Sequence, residues 1–130
     1  MKENEWVISE EMVDYFQERL RIITKAEGLL SMPNTEFATM EMVAEYYEVD
    51  IYCIGSVTYR HRDEFAADGV RRYAESEVRS ILRPNEIEIP ISGLILYPQK
   101  AIRTVGMLLQ DSAIAQEFRV QSLNNIEQAN

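Results

Sequence analysis

Apolar side chains recur at the spacing of an α-helix in several segments of the chain. The first segment follows Ser9, a residue suited to cap a helix, and it ends near Gly28, where a helix commonly stops. Its apolar stripe consists of Met12, Phe16, Leu20, Ile23 and Ala26. The sequence therefore predicts one long amphipathic helix with this stripe as its apolar face.

Two further helices follow, with Thr39 as the cap of the shorter one and Asp50 as the cap of a helix over residues 50–66. Residues 40–59 fit the template of a helix-turn-helix, in which two helices cross at a short turn. The apolar or small side chains that the template requires are Val43, Ala44, Tyr47, Val49, Ile54 and Val57. Glu48 stands at the turn position that glycine usually holds, so it must accept a positive φ unless the turn differs.

The second half of the chain mixes short strands with helices. Residues 70–74 predict a strand and residues 75–82 a short helix. Residues 86–89 alternate polar and apolar side chains, and residues 94–97 are apolar, which predicts a β-hairpin across Pro90 and Gly93. Pro98 then opens a fourth helix, and Asp111 or Ser112 caps a fifth.

These elements predict a mainly α fold with a small β-hairpin, an α+β domain that is winged-helix-turn-helix-like. The hairpin would be the wing. We expect residues 1–124 to form a single domain that begins with an acidic helix, and residues 125–130 to form a flexible tail.

The helix over residues 50–66 is the recognition helix if the template holds. Tyrosine and serine hydroxyls hydrogen-bond to bases or phosphates, and arginine binds phosphate or guanine. The predicted DNA-binding residues on this helix and in the arginine-rich segment after it are Tyr52, Ser56, Tyr59, Arg60, Arg62, Arg71 and Arg72. Gly55 lies among them at a helix-propensity cost of about 1 kcal/mol relative to alanine, which favours a contact surface over plain solvent exposure.

Two stretches of sequence resemble a known family. Residues 39–49, TMEMVAEYYEV, with the RHRDEF of residues 60–65 and the Asp-Gly of residues 68–69, look like the N-terminal domain of phage and prophage regulatory proteins. Residues 96–103, LYPQKAIR, and 106–120, GMLLQDSAIAQEFRV, are similar to the ending of BRO-N and Rha-type antirepressor domains. The resemblance implies a regulatory module of a mobile element, here a sequence-specific, DNA-binding transcriptional regulator.

The charge distribution keeps a second function open. The net charge is −9, and residues 1–50, with 12 acidic and 4 basic side chains, carry −8 of it. An acidic chain is unsuited to tight non-specific binding of nucleic acid, since lysine and arginine supply that affinity. The alternative is a phage-encoded inhibitor or antirepressor that binds a basic host or phage protein through its acidic surface. The acidic side chains also suit a solvated face that serves solubility alone.

The spacing of the candidate residues in the sequence suits neither a catalytic site nor a metal site. Cys53 and His61 lie eight residues apart, about 12 Å along one helix, too far for a nucleophile and its base. Glu41, Glu45 and Glu48 share a helix face, which is more typical of solvated carboxylates than of a metal site. We therefore expect no enzyme, no catalytic or metal-binding residues and no cofactor.

The remaining expectations concern location and assembly. One cysteine excludes an internal disulfide and suits the cytoplasm, and the apolar runs are too short to cross a membrane. Because a lone recognition helix rarely supplies enough affinity, we expect a homodimer on double-stranded DNA.

Overall fold

The structure is a computed structural model that describes residues 9–82 and 88–129, with side chains as far as residue 125. In chain order its elements are α1 (Glu10–Leu30), β1 (Phe37–Thr39), α2 (Met40–Tyr47), α3 (Ile51–Arg60), α4 (Arg62–Ala67), β2 (Arg71–Tyr73), α5 (Glu75–Ile81), β3 (Leu94–Pro98), α6 (Gln99–Leu108) and α7 (Ala113–Ala129). The described chain is mostly helical with one small antiparallel sheet, which confirms the α+β class.

Side-chain caps fix the starts of four helices where the sequence placed them. The hydroxyls of Ser9, Thr39 and Ser112 each accept the backbone N–H three residues further along, at 3.1 Å. The carboxylate of Asp50 accepts the N–H two residues further along, at 2.9 Å. Each cap satisfies one of the backbone donors that a helix leaves unpaired at its N-terminus.

The sheet has the strand order β1-β3-β2, and β3 runs antiparallel to both neighbours. The partners of β3 among the described residues are thus β1 and β2, whereas the sequence predicts a β-hairpin between residues 86–89 and 94–97. Residues 83–87 lie outside the described part of the chain, and Glu88 and Ile89 belong to no strand. Apolar alternation identified β3 but carried no information on its partners, which are distant in sequence.

The two faces of the sheet pack against different parts of the molecule. Directly paired residues point to the same face, so Ala38 and Tyr97 share one face and Tyr73 and Leu94 share the other. The first pair lies in the main core. Tyr73 lies in a smaller cluster built around Val78 of α5. The sheet is thus a layer between the helical core and α5.

The main core lies between α1, α2, α3, α6 and α7. The buried phenol of Tyr47 in α2 donates to the carbonyl of Ile102 in α6, at 2.7 Å. Arg103 closes the C-terminal end of α1, with Nε 2.8 Å from the carbonyl oxygen of Leu29 and Nη2 2.7 Å from that of Leu30. These bonds satisfy carbonyls that have no partner within their own helix.

α1 buries only the C-terminal part of its predicted apolar stripe, where Ala26 is buried and Ile23 half-buried. Its buried side chains are Ile22, Ala26 and Leu29, all in the C-terminal half of the helix. Met12, Phe16 and Leu20 of the predicted stripe are exposed. The sequence shows the period of the stripe, but the position of the neighbouring α7 decides how much of the stripe is covered.

Two helix boundaries also differ from the prediction. The helix expected over residues 50–66 is divided at His61, whose φ of −120° and ψ of 36° end α3 and precede α4. No proline or glycine marks this break in the sequence. At the other end of the chain, α7 continues to Ala129 and so includes most of the predicted tail.

Candidate nucleic-acid interface

Residues 40–59 fold as two helices joined by a short turn, as the template requires. Val43, Ala44, Ile54 and Val57 are buried, and their side chains meet in the main core. Glu48 ends α2 in the left-handed conformation, with φ 60° and ψ 47°. The turn therefore keeps its positive φ although a side chain occupies the usual place of glycine.

Glu48 is held in the turn by basic residues of α1. Arg21 donates from both terminal nitrogens to the Glu48 carboxylate, one at 3.0 Å, and Lys25 Nζ lies 3.3 Å from the same group. The hydrogen bonds from Arg21 and then Lys25 hold the pKa of Glu48 below its ordinary value. This contact joins the first helix to the turn between α2 and α3.

Two substitutions separate the backbone strain at Glu48 from its ion pairs. Both Glu48→Ala and Glu48→Gly remove the contacts with Arg21 and Lys25, but only glycine adopts a positive φ without strain. We expect the alanine variant to be less stable than the glycine variant by about 1 kcal/mol in urea denaturation. Equal stabilities would contradict a left-handed residue at this turn.

The outward face of α3 carries four of the predicted site residues. Tyr52, Ser56, Tyr59 and Arg60 are exposed, the two tyrosines with 82% and 68% of their surface in solvent. Their spacing of four, three and one residues places them in one row that rises about 12 Å along the helix. The row is therefore long enough to cover about three base pairs.

Arg62 belongs to the same surface but to the next helix. Its Nη1 donates to the carbonyl of Tyr59 at 3.0 Å, and its guanidinium lies 4.8 Å from the centre of the Tyr59 ring. The attraction between the guanidinium of Arg62 and the ring of Tyr59 holds the two side chains together at the exposed surface. The break at His61 thus leaves Arg62 next to the row on α3.

The structure separates Arg71 from Arg72. Arg72 pairs with Ile95 and so shares the sheet face of Tyr97, whose hydroxyl lies 2.6 Å from Thr58 Oγ1 of α3. Arg71 points to the opposite face, where it lies 3.7 Å from the ring of Tyr73 and its Nη2 is 3.1 Å from Glu77 Oε2. The hydrogen bond with Glu77 raises the pKa of Arg71. Arg72, whose Nη1 donates to the carbonyl of Gly93 at 3.3 Å, is thus on the side of α3. Arg71 is bound to Glu77 on the side of α5.

Sequence reasoning missed the residues that border the row on α3. Gln110 and Asp111, in the connection between α6 and α7, line a groove of about 240 Å³ together with Tyr52, Ser56 and Arg60. The side-chain amide of Gln110 and the carboxylate of Asp111 add hydrogen-bond acceptors beside the guanidinium of Arg60. Nothing in the local sequence connects positions 110 and 56, since only the packing of α6 on α3 brings them together.

The other chemically interesting side chains form no cluster in the part of the chain that the structure describes. Cys53 is a half-buried free thiol, and His61 Nδ1 lies 2.9 Å from Glu64 Oε1. Within residues 9–82 and 88–129 no three histidine, cysteine or carboxylate side chains stand close enough to hold a metal ion. No helix in these ranges has the length and apolar composition needed to cross a bilayer.

Comparisons with family models, with curated protein sequences and with solved structures find no match to this chain. The resemblance to phage regulatory proteins therefore stays a prediction from the residues that carry it.

Proposed function

We propose that the protein is a sequence-specific DNA-binding regulator that places α3 in the major groove. The observation that carries the proposal is the row of Tyr52, Ser56, Tyr59 and Arg60 on the exposed side of a helix that follows a helix-turn-helix bend. An α-helix fits the width of the major groove, where arginine and hydroxyl groups read base edges. The sequence resemblance, which implies a regulatory module of a phage or prophage, agrees with this assignment.

The order of the elements supports a winged-helix version of this module. α1, β1, α2 and α3 are followed by β2 and β3, and the last strand in sequence is the central one. We interpret the segment between β2 and β3 as the wing, which is longer than a tight hairpin since it includes α5. Arg72, on the α3 side of the sheet, is then placed to contact a phosphate beside the groove.

The charges around α3 favour selective rather than general binding. Arg60 has no carboxylate within ion-pair distance among the described residues, which leaves its guanidinium available for DNA. Asp111 borders the same groove, and the whole chain is acidic. Since few phosphate contacts are available, affinity has to come from base contacts and from two copies on a two-fold operator.

Loss of the two side chains at the end of α3 tests this interface. In fluorescence anisotropy with duplexes from the DNA that flanks the gene, we expect Arg60→Ala and Tyr59→Ala each to weaken binding by about 1–3 kcal/mol. If Arg60 contacts a base, the loss is confined to the cognate duplex. If it contacts a phosphate, the affinity for all duplexes falls. The slope of the logarithm of the binding constant against the logarithm of the salt concentration then decreases by about one.

Arg79→Ala is the matched control, because Arg79 is an exposed arginine paired with Glu75 on α5, behind the sheet. It should leave DNA affinity unchanged. Unchanged affinity in both α3 variants would remove this face from the interface. If the wild-type chain binds no duplex at any salt concentration but associates with a basic protein, the alternative of an acidic protein-binding antagonist replaces the proposal.

A further inference from the structure

The N-terminal half of α1 extends beyond the helical core. Its described side chains from Glu10 to Glu18 are all exposed, and the helix contributes to the core only from Ile22 onward. Five large apolar side chains lie in this exposed half, here called the α1 apolar face: Met12, Val13, Tyr15, Phe16 and Leu20. Phe16 and Leu20 are 57% and 64% exposed.

The spacing of this face matches the seam of a helix pair. Val13, Phe16, Leu20 and Ile23 follow one another at intervals of three, four and three residues. These intervals are the a and d positions of a heptad repeat, which place side chains along one line for packing against a second helix. Within the described chain α7 is the principal partner of α1, and it leaves Val13, Phe16 and Leu20 of this line exposed while Ile23 is half-buried.

Three of the four carboxylates of the same half lie away from the seam. At 100° per residue, Glu11, Asp14 and Glu18 are on the opposite side of α1 from Phe16 and Leu20. Glu10 and the uncharged Gln17 flank the seam on one side, and Arg19, whose Nη2 is 3.0 Å from Glu117 of the same chain, flanks it on the other. When two copies join their apolar faces, Glu11, Asp14 and Glu18 therefore point away from the partner helix, and Glu10 lies at the end of the seam.

We propose that the α1 apolar face is a homodimer interface, in which the N-terminal halves of α1 from two copies pack together. Met12, Val13, Phe16 and Leu20, with the stems of the flanking Gln17 and Arg19, present roughly 500 Å² of surface per chain, so pairing two copies removes about 1,000 Å² from water. An area of about 1,000 Å² is the lower limit for a specific protein interface. A two-fold axis across the seam brings each face against its own equivalent. The proposal does not depend on DNA binding, and its test contains no DNA.

Sedimentation equilibrium of the full chain tests the interface directly. The wild type is expected to approach twice its chain mass of 15.1 kDa as concentration rises. Phe16→Glu with Leu20→Glu should raise the dimer dissociation constant by roughly 100-fold or more, because two apolar anchors at the centre become charged. Phe16→Leu with Leu20→Met should keep the dimer, since both substitutions preserve apolar volume.

Ile91→Glu is the matched control, because Ile91 is an apolar side chain that is 93% exposed in the turn before β3. This variant should dimerise like the wild type. A second measurement does not depend on the folding of the glutamate variant. A nitroxide spin label is attached to Gln17→Cys in a Cys53→Ala background. Pulsed electron paramagnetic resonance should then give a short distance between the labels of the two copies.

A wild type that stays monomeric at every concentration overturns the proposal. A dimer that keeps its mass in the double glutamate variant also overturns it, and so does a dimer in which the labels at position 17 are far apart. Those last two results would place the contact on another surface, and neither bears on whether α3 binds DNA.

Discussion

Tyr97→Ala is expected to lower the free energy of unfolding by about 3–5 kcal/mol, the largest loss that we expect from one substitution. Tyr97 is fully buried on the central strand, with its ring 6.2 Å from that of Phe65 and its hydroxyl 2.6 Å from Thr58 Oγ1. Alanine would leave a cavity where the sheet, α3 and α4 meet. Chemical denaturation monitored by circular dichroism measures the change.

Tyr97→Phe is the control for the hydroxyl alone, and we expect it to cost about 1 kcal/mol. Thr58 still donates to the carbonyl of Ile54 in this variant, so no hydroxyl is left without a partner. Burial raises the pKa of Tyr97, so its contribution to stability is complete below the ordinary tyrosine pKa and is lost as the pH rises. The phenylalanine variant should therefore lose less stability than the wild type at alkaline pH. A Tyr97→Ala variant as stable as Tyr97→Phe would contradict the buried position of the ring.

Gly106→Ala is expected to destabilise the protein by about 1–3 kcal/mol through overpacking. A methyl group at position 106 would lie 2.6 Å from Cδ2 of Phe118 and 2.7 Å from the hydroxyl oxygen of Tyr47. Both rings are buried and cannot move without displacing α7 or α2. The thermal midpoint should fall accordingly, and differential scanning calorimetry measures it.

Gly55→Ala makes the same substitution at a second helical glycine, where we expect the stability to rise instead of fall. A methyl group at position 55 would meet only the sulfur of Met40, at 3.9 Å, so it fits without strain. Alanine in a helix interior is favoured over glycine by about 1 kcal/mol, which should appear as a gain in stability. A loss at position 55, or a gain at position 106, would contradict the packing of α3 or α6 described above.

The features of the fold that depend on neighbours in sequence were predictable. Ser9, Thr39 and Asp50 cap helices because a polar side chain next to its own backbone needs no distant partner. The turn after α2 was also predictable, because the helix-turn-helix pattern specifies it locally. The sequence left either a positive φ at Glu48 or a different turn open, and the structure has the positive φ. These signals established the class of the fold and the position of α3.

The features that depend on distant parts of the chain were not predictable in the same way. The partners of β3 lie far away in sequence, whereas the hairpin prediction paired it with its nearest apolar neighbour. The exposed half of α1 has the same period as a buried helix, so periodicity alone could not show that Phe16 lies in solvent.

The candidate site was predicted in part, for the same reason. Tyr52, Ser56, Tyr59 and Arg60 share a face because helical geometry is local. The separation of Arg71 from Arg72 follows from the alternation of a strand whose register is set by β3. The approach of Asp111 to α3 follows from the connection between α6 and α7. The spacing of the residues along the chain predicts neither the separation of Arg71 from Arg72 nor the approach of Asp111 to α3.

The central position of β3 imposes an order on folding during synthesis. β1 and β2 emerge from the ribosome first, and in the described structure each pairs with β3 and not with the other. A nascent chain that has not yet released residues 94–98 therefore holds Phe37 and Tyr73 on two segments that lack their common partner. Because this pairing joins residues tens of positions apart, the sheet and the attachment of α5 complete late, after the bend between α2 and α3 has formed from adjacent sequence.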